Sequence, residues 1–148
     1  MPIWIHKPTV EQLNRFRRNT LMEHLDIQYT EIGDDYLKAS MPVDHRTHQP
    51  MGILHGGASV ALAESLGSVA ATLCVDVTRK YCVGIEINAN HLRQVRTGKV
   101  VGTARPLHLG NKIHVWEIRI TDEQEQLVCT SRITLMVMDR KANTTGSG

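Results

Sequence analysis

Three cysteines, Cys74, Cys82 and Cys129, are odd in number and widely spaced, so the sequence offers no Cys-x-x-Cys pair for a structural zinc or a redox couple. Reduced thiols in a cytosolic protein are the expectation. Charge is in short supply as well: 17 lysines and arginines against 15 acids leave a formal net charge of +2, which is no electrostatic footprint for nucleic acid. Long apolar runs are missing too. The longest charge-poor stretch, Gly56–Val75, is broken by Glu64 and rich in Gly, Ala, Ser and Thr, a composition that argues against a membrane span. Met1–Lys7 mixes Pro2, Trp4 and His6 among its apolar residues and lacks the charged-then-apolar layout of a secretion signal.

What is present is ordinary for a globular chain: 148 residues, 41% hydrophobic and 22% charged. That length suits one domain with a buried core. We expect a single domain over residues 1–139, with the small, polar residues 140–148 as a disordered tail or a cloning remnant.

Thr9 can cap a short helix in which Val10, Leu13 and Phe16 recur at helical spacing. Ile27–Met41 reads as a hairpin turning at Gly33-Asp34-Asp35, residues that tolerate positive φ. Pro42–Met51, with two prolines and no apolar periodicity, reads as a long loop. From Gly57 to about Cys74 small side chains cover every helix face, so this helix must be buried all round. Four strand-like stretches follow, Tyr81–Leu92, Lys99–His108, Lys112–Thr121 and Leu127–Met138. Gly98, Gly110-Asn111 and the polar run Asp122–Gln126 punctuate them as antiparallel hairpins. The expected fold is α+β: an antiparallel sheet curved around a helix of roughly 18 residues and about 27 Å. The helix flank that such a sheet leaves bare calls for a second subunit.

Glu64 is the one formally charged side chain between Gly56 and Val75. Burying it without a partner costs several kcal/mol or raises its pKa. Either it points to solvent, or it occupies a small-walled niche among Val60, Ala61, Gly67, Ser68 and Ala71. His55-Gly56-Gly57 precedes the helix, where free N–H groups under the helix dipole suit a developing oxyanion, or serve as a plain glycine-rich entry. Period two through Tyr81, Val83, Ile85, Ile87 and Ala89 places His91 on the core side, as a satisfied core group or a substrate contact. Asp44, His45 and His48 lack the further ligands of a metal site and read as a solvated loop. Arg93, Arg96, Lys99 and Lys112 either hold phosphates or solvate hairpin ends.

The stretch Met41–Ala70, with its Asp44-His-Arg-Thr-His-Gln-Pro-Met-Gly-Ile-Leu-His-Gly-Gly-Ala-Ser59 core, resembles the signature of hotdog-fold acyl-CoA thioesterases. Together with Gly84-Ile-Glu-Ile-Asn-Ala-Asn-His91 and Pro106-Leu-His-Leu-Gly110 it resembles, more narrowly, the group acting on 1,4-dihydroxy-2-naphthoyl-CoA in menaquinone biosynthesis. The resemblance runs from Trp4 to about Met138. It implies a central helix wrapped by a curved antiparallel sheet, assembly into dimers of dimers, and active sites at subunit interfaces. It makes Glu64 the catalytic carboxylate, acting as nucleophile or general base. The Gly56 N–H would polarise the thioester carbonyl, while Gln49, His55, Ser68 and His91 position substrate or water. Gln49 and Gly56 would face Glu64 of the partner subunit. Arg93, Gly110, Asn111 and Lys112 would hold the nucleotide of coenzyme A, Asn111-Lys112 standing where Ser-Arg is familiar in the family. Coenzyme A is then part of the substrate and neither a metal nor a separate cofactor is implied. Three rivals are retained: a proofreading thioesterase for aryl groups on a carrier protein, a hotdog hydratase or dehydratase, and a non-catalytic acyl-CoA-binding protein.

Overall fold

At the N-terminus Thr9 caps the first helix as expected, and the structure adds a full capping box: Thr9 Oγ1 accepts from the Gln12 N–H at 3.1 Å and Gln12 Oε1 accepts from the Thr9 N–H at 2.9 Å. The computed structural model describes residues 1–141, so most of the expected tail lies outside the described residues. Helix α1 (Val10–Arg15) buries Leu13 alone, and Phe16, expected on the apolar face, caps its C-terminus and is exposed. A one-turn helix α2 (Leu21–His24), too short to show in sequence periodicity, follows.

Strands β1 (Gln28–Ile32) and β2 (Leu37–Pro42) form the first hairpin. Its turn needs no positive φ, contrary to the expectation; Gly33 N–H donates to the Tyr36 carbonyl at 2.9 Å. After the central helix α3 (Gly56–Leu73) come β3 (Lys80–His91), β4 (Lys99–Leu109), β5 (Ile113–Thr121) and β6 (Leu127–Asp139). All six strands pair antiparallel in the order β1-β2-β4-β5-β6-β3, leaving β3 on an edge.

Inward residues of the sheet are large and branched: Trp116, Ile118 and Ile120 on β5, Ile133 and Leu135 on β6, all with no exposed surface. They meet the small side of α3, where Ala63, Gly67, Ala70 and Ala71 are buried beside Leu62 and Leu66. Trp4 stacks on Trp116 at 6.2 Å between ring centroids and anchors the N-terminus through its indole N–H to the Gly33 carbonyl. The helix is not buried all round within one chain. Ala61, Ser65, Ser68 and Thr72 are half-buried and Glu64 is exposed, because the sheet covers one side only.

The alternation read through β3 is also corrected. Its pairing with β6 slips between Gly84 and Glu86, leaving Ile85 as an extra residue. Tyr81 and Val83 are therefore exposed on the outer face, while Cys82 before the bulge and Ile87 and Ala89 after it pack against the core. No helix among the described residues is long and apolar enough to cross a membrane.

His114 lies buried on the inner face of β5, and its Nδ1 has no hydrogen-bond partner among the described residues. Burial, reinforced by the nearby His108, holds its pKa below the ordinary 6.5. The folded state therefore prefers the neutral ring. This contribution to stability is whole above pH 6.5 and is lost as pH falls through the depressed folded value. The urea midpoint should accordingly drop as pH is lowered from 6.5, and His114→Leu should flatten that dependence; an unchanged slope in the variant would contradict the assignment.

Candidate active site

Between β2 and α3 the expected loop is built as a miniature hairpin. The His55 N–H donates to the Thr47 carbonyl at 2.8 Å, the Gln49 N–H to the Ile53 carbonyl at 2.9 Å, and the Gly52 N–H to the Gln49 carbonyl at 2.9 Å. Gln49-Pro50-Met51-Gly52 is the turn, with Pro50 where a fixed φ near −65° fits and Gly52 at φ 75°. One arm carries Gln49 and the other delivers His55 and Gly56 to the start of α3.

Thr47 closes the base of this hairpin. It is 1% exposed; its Oγ1 donates to the Pro42 carbonyl at 2.7 Å and accepts from the Asp44 N–H at 3.2 Å. Two further bonds tie the hairpin to the segment after β3: Leu54 N–H to the Val95 carbonyl, and the His48 ring to the Arg96 carbonyl, both at 2.8 Å. A carbonyl only accepts, so His48 Nε2 carries the proton. Asp44 holds Arg46 at 2.6 Å, and that guanidinium lowers its pKa to about 2. Arg46 and Arg17 both reach Asp26, at 3.8 and 3.3 Å, linking the N-terminal helices to this loop.

At the helix N-terminus each glycine makes room for a histidine. His55 Nδ1 accepts from the Gly57 N–H at 2.7 Å, capping the helix from its own N-cap position. A neutral ring that accepts at Nδ1 carries its proton on Nε2. A Cβ on Gly57 would stand 2.8 Å from that ring, and one on Gly56 would stand 3.0 Å from His91 Nε2. Gly56 keeps a main-chain N–H with no hydrogen-bond partner among the described residues. That donor, at the positive end of the α3 dipole, opens with His91 and Arg93 on a recess of about 470 Å³.

Glu64 lies two turns further along α3, at the border between the covered and the open side. Gly67 and Ala71 next to it are buried, whereas Ala61 and Ser68 are partly open. The expected niche is thus half present. The Glu64 carboxylate extends over Gly84 of β3, where a Cβ would be 3.1 Å from Oε1. Ser68 is one turn on, its carbonyl accepting from Thr72 Oγ1 at 2.8 Å. Gln49 Oε1 accepts from its own turn at the Met51 N–H, leaving the carboxamide NH₂ to other partners.

Eight residues separate Gly56 from Glu64, about 12 Å along the helix axis. One chain therefore does not bring amide donor and carboxylate to a common atom. The cations are divided as well. Arg93 opens on the recess beside His91, whereas the Gly110-Asn111-Lys112 turn sits beside Val137, whose strand partner is Cys82. Nine residues of strand, about 30 Å, lie between those ends of β3.

A carboxylate on one flank of α3 and a free amide at its start are groups that acyl transfer can use. Residues 51–129 match the family described as the thioesterase superfamily. The chain belongs to that superfamily. A 1,4-dihydroxy-2-naphthoyl-CoA hydrolase of Escherichia coli K12 is 53% identical over 136 residues, 92% of this chain and 99% of that one. A proofreading thioesterase, EntH, of Cronobacter turicensis is 54% identical over 138 residues, covering 92% and 98%. In three dimensions, a crystallised mutant thioesterase of Pseudomonas aeruginosa superposes with a TM-score of 0.92 at 50% identity, over 93% of this chain and 99% of that one. The fold is the hotdog fold, and the protein is a thioester-hydrolysing enzyme.

Thr47 and Gly84 did not stand out as site residues in the sequence. The available signal for Gly84 was a glycine inside a strand, which marks a bulge or a close approach; Thr47 gave none. Thr47→Val keeps the shape but orphans the Pro42 carbonyl and the Asp44 N–H, so it should destabilise by about 1–3 kcal/mol. Thr47→Ser, which keeps the hydroxyl, should lose only about 1 kcal/mol for the methyl. Urea denaturation of both variants checks this; equal losses would deny the hydroxyl its role.

Proposed function

We propose that the enzyme hydrolyses aromatic acyl-CoA thioesters, 1,4-dihydroxy-2-naphthoyl-CoA or a similar ester, to the free acid and coenzyme A. The reading is carried by Glu64: the one charged side chain of α3, placed on its open side with its carboxylate on the sheet edge. The identity with a hydrolase named for that substrate supports the acyl group. Glu64 either attacks the thioester carbonyl, forming an anhydride that water opens, or takes a proton from the attacking water. In both routes the departing sulfur leaves as thiolate. The Gly56 N–H stabilises the charge gathering on the carbonyl oxygen, a donor worth about 3–4 kcal/mol in acyl-transfer sites. Gln49, through its free NH₂, with Ser68, His55 and His91, orients substrate and water.

The 12 Å gap between Gly56 and Glu64 favours a site completed by a second copy of the chain. Strand β3 presents an unpaired edge 12 residues long. Antiparallel pairing of two such edges would set the Lys80 end of one beside the His91 end of the other, bringing the Asn111-Lys112 turn of one chain toward the Arg93 of its mate. Val83 and Met136, exposed together on the outer face, suit a further pairing into a dimer of dimers. A cytoplasmic enzyme needing no metal or separate cofactor completes the proposal.

The similarity to a proofreading thioesterase favours a second reading, in which the aryl group arrives on a carrier protein and the same residues act. Comparing kcat/KM for one aryl group on coenzyme A and on a carrier protein separates the two. Glu64→Gln should lower kcat by about 10²- to 10⁴-fold with the oligomer intact by sedimentation. Near-full turnover in that variant would remove Glu64 from the mechanism.

A further inference from the structure

Gly84 and His91 lie seven residues apart on β3, a spacing that puts side chains on opposite faces of a regular strand. Here both face inward. Gly84 pairs with Leu135 and His91 with Cys129, and both of those β6 residues are wholly buried. The extra residue at Ile85 resets the alternation, so one face of β3 meets both the Glu64 carboxylate and Gly56 at the start of α3.

Glycine is costly inside a strand, since it adds backbone entropy to the unfolded chain and packs nothing. At residue 84 the backbone does not require it: φ is positive only at Gly52 and Gly98 among the described glycines. Space requires it. A Cβ there would stand 3.1 Å from Glu64 Oε1, 3.9 Å from Glu64 Cδ and 3.6 Å from Ile133 Cδ1, against 3.4–4 Å for an ordinary contact. None of the salt bridges among the described residues includes Glu64.

We propose that Gly84, set inward by the bulge at Ile85, is a positioning residue that fixes where the Glu64 carboxylate stands by giving it a surface without a side chain. This rests on the reading of Glu64 as the catalytic acid. A methyl at residue 84 would push the carboxylate by a few tenths of an ångström, whereas an aspartate at residue 64, one methylene shorter, would clear the methyl.

The test is a double-mutant cycle with benzoyl-CoA as probe. Gly84→Ala should lower kcat about tenfold while KM stays within about twofold. In the Glu64→Asp background the same change should cost less than about threefold, since the contact is already gone. An unchanged kcat, or an equal loss in both backgrounds, overturns the proposal. Glu64→Gln assayed alongside keeps the readings apart: full activity there sinks the role of Glu64, and Gly84 with it, whereas an inactive Glu64→Gln with a fully active Gly84→Ala sinks Gly84 alone. Should Gly84→Ala fail to fold, Tm replaces kcat. The double variant must then melt within a few degrees of Glu64→Asp, and a failure of both to fold overturns the proposal.

Discussion

Helix α3 approaches the sheet at a glycine: a Cβ on Gly67 would lie 2.5 Å from Ile133 Cγ2, well inside van der Waals contact. The rest of the covered face of α3 is alanine, serine and three leucines, while the sheet opposes it with Trp116, Ile118, Ile120, Ile133 and Leu135. Small side chains on one partner and large ones on the other set the height of the helix above the strands and its roll about its own axis. Both settings reach Glu64. Glu64 is three residues before Gly67, and its neighbour Ala63 is buried while it is itself at the edge of cover. A rotation of one residue would carry the carboxylate into the core or away from β3.

The same contact fixes where α3 begins. Gly56 lies under His91, which ends β3, so the first amide of the helix and the last ring of the strand share one recess. The miniature hairpin Thr47–His55 then feeds the chain into that point from a base that is hydrogen-bonded to the end of β2. Donors held in this way are oriented before substrate arrives, and preorganised dipoles avoid reorganisation as charge develops. The carboxylate is exposed for a related reason. A single chain has sheet for only one side of α3, and the charge sits where cover ends rather than in the dry interior, where it would cost several kcal/mol without a partner.

Much of this architecture is legible in the sequence because glycines and polar runs punctuate it. Gly98, Gly110-Asn111 and Asp122–Gln126 fall between observed strands, and the helix from Gly56 to Leu73 differs from its expected span by one residue at each end. Thr9 announced its own cap. The bulge at Ile85 did not show, since alternation counts residues and an inserted one looks like any other apolar position. It misplaced Tyr81 and Val83 while leaving His91 inward. The sequence does not reveal that the His55 ring turns back to cap its own helix. Arg93 and Lys112 are close in sequence number yet at opposite ends of the sheet, because β4 runs the full length between them.

What sequence reading lacked at these points was knowledge of where backbone comes close to a functional side chain. Gly56 and Gly84 are two such positions in the site, one beneath an imidazole and one beside a carboxylate. Neither needs an unusual φ, so neither is explained by turn chemistry. Both lie on regular elements rather than on loops, and elements anchored by ladder and helix hydrogen bonds hold geometry better than loops do. The proposed reaction, with an acid and an amide donor on opposite sides of one carbonyl, would gain from that rigidity, because each group is set by a backbone that cannot shift without moving a whole strand or helix.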